Sequence, residues 1–222
     1  MKKILKLQLV LGCAAALGAI AVLPSAPMFE NNEVRVVRAL EKAHVKGSFH
    51  EHKMNRVMVY LQSGRQRFEY QDGRKPAVLD WKPGQVVWSK PEGMHSPEVI
   101  SDESFNIIEV ELKNASAELT PEGSHDALKL DGKHYKLELA NGQVRVLRLT
   151  LGAHQATPVV EHARNTVAIF LTDQETRTTD AKGTVDTAKH KAGDAVWQTP
   201  NTTKIENAGD APLEMVLVEL RS

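Results

Sequence analysis

Three histidines have the residue type and spacing of a metal site. His50 and His52 are one residue apart in the sequence GSFHEH at residues 47–52, and alternation along a strand places both imidazoles on one face. A third, His95, follows a turn rich in Pro and Gly at residues 91–94, which would hold it at a strand edge. Three imidazoles suit Zn, Fe, Ni or Cu and leave coordination positions open for water or a substrate. The spacing predicts one metal site formed by His50, His52 and His95.

The elements that must position these histidines belong to an internal repeat. Residues 34–61 align without a gap on residues 144–171, with 11 identities in 28 pairs, where chance at ordinary composition gives about two. The sequence GQVVW at 84–88 is matched by GDAVW at 193–197, and VEL recurs near the end of each copy. The chain after its first thirty residues is therefore two copies of one unit.

Each copy is predicted to consist of strands. Residues 34–38 and 144–148 alternate β-branched with charged residues, while 57–61 and 167–171 are short apolar runs. Gly, Pro, Asn and Asp clusters separate these segments, and no helical period of useful length follows residue 28. This pattern predicts an all-β sandwich or barrel in each half. A linker at 114–125 divides the chain into domains at 27–118 and 119–222.

The N-terminal segment has the pattern of a secretory signal. Lysines near the start precede an apolar run from Leu9 to Leu23, and small residues offer a cleavage site near Ser25 or Ala26. We expect residues 1–26 to be a signal peptide and the protein to be exported, periplasmic or secreted. An uncleaved anchor and a lipoprotein at Cys13 are the alternatives. Cleavage would remove the only cysteine, which excludes disulfides and thiolate chemistry from the mature chain.

The charge balance excludes several classes of partner. The chain carries 28 Lys and Arg against 28 Asp and Glu, with no basic block for nucleic acid and no polybasic stretch for an anionic membrane. We expect a small-molecule partner, no nucleic acid, and no membrane contact beyond the signal segment. Exposed sheet edges make a homodimer plausible.

The motifs resemble those of the cupin family. The first family motif is a glycine, then His-x-His, a Glu a few residues on, and a closing glycine; the second is Pro-x-Gly followed by His. The matching residues are Gly47, His50, His52 and Gly64, then Gly84, Pro91, Gly93 and His95. The resemblance implies a small jelly-roll barrel with a metal at its mouth, and the duplication implies a bicupin, an all-β chain of two tandem jelly-roll barrels.

Two departures from the family pattern bear on the site. The position implied for the Glu ligand holds Arg56 or Val57, so any metal would be held by three histidines, as in the three-histidine branch of the family. In the second copy Val160 replaces the first histidine and His162 keeps the second, while Lys204 is aligned with the third. The second barrel is expected to be a scaffold, or a metal-free pocket with His162 and Lys204 at its floor.

Two function hypotheses follow. The first is an enzyme, a metal-dependent oxygenase, isomerase or lyase for a small anionic molecule, with one divalent metal (Fe, Mn, Ni or Zn). Arg56 and Tyr60 would bind the substrate, with Arg56 pairing the anion, and Tyr60 or Glu51 would carry protons, although Glu51 alternates away from the histidine face. The second is a non-catalytic small-molecule-binding or structural cupin of the cell envelope. The missing Glu ligand and the degenerate second copy favour this rival.

Overall fold

The computed structural model describes residues 27–114 and 122–221. The predicted signal peptide, with its cleavage site and the lipoprotein alternative at Cys13, lies outside the described residues, as does most of the predicted linker. Within the described ranges, no helix has the length and hydrophobicity to cross a bilayer.

The N-terminal half is a barrel of two antiparallel sheets. A five-stranded sheet has the order β1-β2-β9-β4-β7 and a four-stranded sheet the order β3-β8-β5-β6. The strands are β1 (Pro27–Glu30), β2 (Val34–Glu41), β3 (His50–His52), β4 (Arg56–Tyr60), β5 (Gly64–Tyr70), β6 (Ala77–Trp81), β7 (Val86–Ser89), β8 (Glu92–Val99) and β9 (Phe105–Leu112).

The C-terminal half repeats this topology. Its sheets have the orders β10-β11-β18-β13-β16 and β12-β17-β14-β15, so β3 corresponds to β12 and β8 to β17. The elements are α1 (Ala127–Asp131), β10 (Tyr135–Ala140), β11 (Val144–Leu151), β12 (Val160–His162), β13 (Thr166–Phe170), β14 (Gln174–Asp180), β15 (Val185–His190), β16 (Ala195–Gln198), β17 (Asn201–Asn207) and β18 (Leu213–Leu220). The prediction of an all-β chain with two tandem jelly-roll barrels is confirmed.

The helix α1 was not predicted, because five residues are too few to show a helical period. Asp126 caps it, its side chain accepting a hydrogen bond from the Leu128 backbone NH. The helix follows the predicted linker and packs against β10 and β12. Part of what the sequence presents as a linker therefore belongs to the second barrel.

The two barrels share one hydrophobic core. Alternate residues of the five-stranded sheets face the other half, and the remaining residues face the interior of their own barrel. The shared core is almost entirely Val, Ile and Leu, the residue types that pack well between sheets. Its buried members include Val34, Val36, Val57, Val59, Ile108, Val110, Val144, Val146, Val167, Ile169, Val216 and Val218.

Polar contacts around this core are reciprocal. Asn55 Nδ2 donates to Gln143 Oε1, and Asn165 Nδ2 donates to Glu33 Oε1 at 2.7 Å. The repeat aligns Asn55 with Asn165 and Glu33 with Gln143, so each contact is the counterpart of the other. The two halves therefore meet about a pseudo-twofold axis. Gly193, at φ +88°, leaves no room for a side chain, since an added Cβ would lie 2.7 Å from Leu61 Cδ1 of the other barrel.

Candidate metal centre

The pairing of β3 with β8 brings the three predicted ligands together. His50 lies directly opposite His95, and the register shifts by a bulge before His52. The ring centroids are 4.8 Å apart for His50 and His95, 5.0 Å for His50 and His52, and 5.5 Å for His52 and His95. One ring nitrogen from each residue lies within 4.8 Å of the other two. His95 is remote from His50 and His52 in the sequence, and the pairing of β3 with β8 alone brings it beside them.

Backbone carbonyls fix the rings of two of these histidines. His50 Nδ1 lies 2.9 Å from Ser48 O, and His95 Nδ1 lies 3.0 Å from Gly93 O. A carbonyl oxygen only accepts, so each Nδ1 donates and the neutral ring keeps its lone pair on Nε2. Burial lowers the pKa of His95, which favours that neutral form. Both rings are held in the tautomer that binds a metal through Nε2.

His52 has a different partner. Arg56 Nη1 contacts His52 Nδ1, and a guanidinium only donates, so this nitrogen accepts. Burial and the Arg56 charge, followed by the neighbouring His50 and His95, lower the pKa of His52 to about 3. The ring is therefore neutral near pH 7. Arg56 itself is buried, and it points into the barrel.

Two carboxylates that sequence reasoning missed lie beside His52. Glu109 Oε2 accepts from Arg56 at 2.9 Å, and Glu111 Oε2 accepts from Arg35 at 2.8 Å. With His52 they form a second group whose ligand atoms lie within 4.8 Å of one another. The signal was two acidic residues, two apart, in the otherwise mostly apolar strand FNIIEVEL. Their alternation places both inside the barrel.

Polar groups continue beneath the histidines. Burial and the Glu109 charge raise the pKa of Glu41, which accepts from Gln66 Nε2 at 3.0 Å. Gln66 Oε1 in turn accepts from Trp81 Nε1 at 2.8 Å. Burial also raises the pKa of the Glu109 carboxyl. The first barrel therefore buries polar and charged side chains beside its apolar cluster of Met58, Tyr60, Trp81, Val99, Phe105 and Ile107.

The structure does not support the predicted roles of Tyr60 and Glu51. Tyr60 is 1% exposed and stacks on Trp81 with ring centroids 4.1 Å apart, so it is a core residue with no face open to a ligand. Burial and Glu109 raise its pKa, which keeps the phenol protonated. Glu51 is exposed, as expected for a residue that alternates with His50 and His52 along the strand. Its carboxylate pairs with Lys53 at 3.4 Å.

The alignment of Lys204 with His95 is wrong. Val160 of β12 pairs with Thr203, just as His50 pairs with His95, so Thr203 is the counterpart of the third histidine. Thr203 is buried, while Lys204 takes the alternate position and is only partly buried. A slip of one residue moves a side chain to the other face of its strand. The two residues predicted for a second pocket, His162 and Lys204, therefore do not share one face.

A network of buried ion pairs lies inside the second barrel. Arg145 donates to Glu219 Oε2 at 2.6 Å and to Asp126 Oδ2 at 2.6 Å. His162 Nδ1 lies 3.3 Å from Glu219 Oε1. Burial acts to raise the pKa of Glu219, but the hydrogen bonds from His162 and Arg145 outweigh it and lower that pKa. Asp126 comes from the segment before α1, which docks on β12 through Glu161 N and His125 O at 2.8 Å.

The donor set of the first barrel fits a divalent transition metal, and that of the second does not. Three imidazoles match the nitrogen ligands that such metals prefer, and in two of them Nδ1 bonds a backbone carbonyl, which leaves Nε2 for the metal. At the corresponding positions the second barrel offers one histidine, His162, with Val160 and Thr203 in place of the other two. A single imidazole beside a buried ion pair does not make a metal site.

Comparison with solved structures shows the cupin fold. AerE from Microcystis aeruginosa aligns over 88% of this chain and 96% of its own, with TM-score 0.60 and 11% identity. An oxalate decarboxylase variant from Bacillus subtilis aligns over 85% of this chain and 69% of its own, with TM-score 0.59 and 13% identity. A cupin 2 conserved barrel domain protein from Leptotrichia buccalis aligns over 89% and 88%, with TM-score 0.53 and 11% identity. No family model and no curated protein matches the sequence. At these identities the likeness concerns the fold.

Proposed function

We propose that the N-terminal barrel binds one divalent transition metal, Fe, Mn, Ni or Zn, through His50, His52 and His95. The observation that carries this proposal is the convergence of three imidazoles, two of which are held by Ser48 O and Gly93 O with Nε2 free. The manganese(II) centres of Bacillus subtilis oxalate decarboxylase, a similar structure with TM-score 0.56 and 12% identity, give Mn a place among the candidate metals.

The enzyme hypothesis assigns the barrel an oxygenase, isomerase or lyase reaction on a small anionic molecule. A bound metal would act as a Lewis acid toward a substrate oxygen. Arg56 supports this hypothesis because its buried guanidinium contacts His52, so a cationic group lies beside the proposed metal ligands. Glu109 occupies Nη1 of this guanidinium, so the anion would pair with the other N–H groups of Arg56 or displace Glu109.

The alternative is a non-catalytic small-molecule-binding or structural protein, and a specific observation favours it. Both arginines inside the first barrel are already paired with carboxylates, Arg56 with Glu109 and Arg35 with Glu111. Paired guanidinium groups attract an incoming anion weakly, because their charge is neutralised at short range.

Metal analysis of tag-free protein tests the proposal. We expect about one equivalent of metal per chain in the wild type and none in the His50→Ala/His52→Ala variant, with unchanged far-ultraviolet circular dichroism. Turnover of a small anionic compound by the loaded protein, with or without dioxygen uptake, favours the enzyme, whereas binding without turnover favours the alternative. Equal metal content in both proteins would contradict the metal site.

We also propose export, on the signal-like pattern of residues 1–26. N-terminal sequencing of the protein from fractionated cells tests it. Export predicts a mature N-terminus near Ala26 in the periplasmic or secreted fraction. An intact N-terminus in the cytoplasmic fraction would contradict export.

A further inference from the structure

One nitrogen of His52 lies between two competing partners. Its Nδ1 contacts Arg56 Nη1, and the same Nδ1 lies 4.0 Å from Glu111 Oε1. The side chain of His52 is 19% exposed and that of Glu111 is 11% exposed, so water competes little for either group. The partner of Nδ1 determines whether Nε2 of the neutral ring carries the proton or a lone pair that can bind a metal.

The two partners select opposite tautomers. Arg56 only donates, so its bond to Nδ1 leaves the proton of the neutral ring on Nε2, where it blocks metal binding. A carboxylate only accepts, so a bond to Glu111 would put the proton on Nδ1 and the lone pair on Nε2. Metal-binding histidines commonly donate their second nitrogen to a carboxylate in this way.

The second barrel shows the arrangement without the arginine. The repeat aligns Arg56 with Thr166, and the pairing of β9 and β18 with their neighbours aligns Glu109 with Leu217. There His162 Nδ1 donates to Glu219 Oε1 at 3.3 Å. The corresponding distance is 4.0 Å in the first barrel. The loss of the guanidinium coincides with the histidine taking the carboxylate.

The carboxylate itself is held alike in both barrels. Arg35 donates to Glu111 at 2.8 Å, and the aligned Arg145 donates to Glu219 at 2.6 Å. Glu111 is therefore already held in place, and in the first barrel the guanidinium of Arg56 occupies the Nδ1 atom of His52 that at His162 bonds the carboxylate.

We propose that Glu111 is a positioning residue for metal binding, and that Arg56 competes with the metal for His52. When the metal binds, His52 exchanges Arg56 for Glu111 at Nδ1, and Arg56 stays with Glu109. The ring keeps one proton, which moves from Nε2 to Nδ1 by exchange with water, and no group is oxidised or reduced. This inference rests on the proposed three-histidine site.

Titration of the metal-free full chain with Co²⁺ tests the role of Glu111. Glu111→Gln is expected to weaken Co²⁺ binding by about tenfold or more, the usual effect of losing such a partner. The matched variant in the other barrel, Glu219→Gln, is expected to bind Co²⁺ like the wild type. His50→Ala, which tests the proposed site itself, is expected to bind none.

The double variant Arg56→Thr/Glu109→Leu tests the competition. It copies Thr166 and Leu217 of the second barrel and leaves no carboxylate without its partner. We expect about tenfold tighter Co²⁺ binding. In ¹⁵N NMR spectra of the metal-free proteins, His52 should carry its proton on Nε2 in the wild type and on Nδ1 in the double variant, a difference that a purely structural role would not produce.

The outcomes separate this inference from the proposed function. If Glu111→Gln binds Co²⁺ like the wild type while His50→Ala does not bind, the exchange is wrong and the metal site stands. If the double variant folds but binds no tighter, or keeps the proton of His52 on Nε2, the competition is wrong. If His50→Ala binds normally and Glu109→Gln does not, the metal lies at His52, Glu109 and Glu111, and both proposals fail. If Glu111→Gln does not fold, the NMR spectrum of the double variant decides.

Discussion

The two barrels share a topology but differ in what fills them. In the first, Glu41, Arg56 and Glu109 are largely or fully buried beneath three histidines. In the second, the aligned residues are Leu151, Thr166 and Leu217. The charged residues that remain there are Arg145 and Glu219, and Arg145 also pairs with Asp126. Burying an ion costs several kcal/mol before its partner compensates. Both barrels therefore bear this cost, and within the described residues the first places its buried charges beside three histidines, whereas the second places them beside one, His162.

The largest expected effect concerns the closed network of the second barrel. Arg145→Ala would leave Glu219 and Asp126, which are 1% and 4% exposed, without their cation. We expect the free energy of unfolding to fall by about 3–5 kcal/mol, measured by urea denaturation. Arg35→Ala, at the aligned and more exposed position in the first barrel, should cost less. An equal cost at both positions would contradict the difference between the barrels.

The stability of the metal-free protein should depend on pH through His52. The folded pKa is about 3 and the unfolded value about 6.5, so between these pH values the unfolded chain binds the extra proton. The free energy of unfolding should therefore fall as pH decreases from about 6.5, by at most about 1.4 kcal/mol per pH unit for this group. His52→Gln should show a shallower slope over this range, and identical slopes would count against the buried neutral ring.

The contact between the halves should have a moderate effect. Asn165→Ala removes the hydrogen bond to Glu33, and we expect a loss of about 1 kcal/mol in the free energy of unfolding. Asn201→Ala serves as the control for hydrogen bonds within one barrel, because its side chain donates to Thr199 O and accepts from Thr203 Oγ1, and it should cost less, about 0.5 kcal/mol. A transition with two separate midpoints would show that the barrels unfold independently in spite of their shared core.

The smallest effect on the free energy of unfolding is expected at the proposed metal ligands, where the two barrels carry different residues. His50→Val/His95→Thr gives the first barrel the residues found at Val160 and Thr203. Without metal, we expect the free energy of unfolding to stay within about 0.5 kcal/mol of the wild type, because β12 and β17 form the same strand pair with Val160 and Thr203 at these positions. A loss of several kcal/mol would indicate that the histidines serve the fold and not a ligand.

Much of the fold follows from the sequence because the repeat and the turns are local signals. The turn between β10 and β11 is such a signal, because Asn141 begins it and its Oδ1 accepts from Gln143 N and Val144 N. The helix α1 and the docking of Asp126 were missed, because they depend on a contact with Arg145 that no local pattern encodes.

The candidate site was predictable only in part. The His-x-His spacing gave two ligands, but the carboxylates of β9 are remote in sequence and adjacent only through strand order. Lys204 was misaligned because the offset between the copies falls from 110 residues at β12 to 108 at β17, as the pairs His50 with His95 and Val160 with Thr203 show. A strand alternates with period two, so a one-residue error exchanges inside for outside.

Anomalous diffraction from crystals of the full chain soaked in Zn²⁺ would test the central claim most directly. The account predicts one strong peak per chain, at about 2.0–2.1 Å from a ring nitrogen of each of His50, His52 and His95, and no peak in the second barrel. A peak among His52, Glu109 and Glu111, a peak beside His162, or no ordered zinc in either barrel would contradict it.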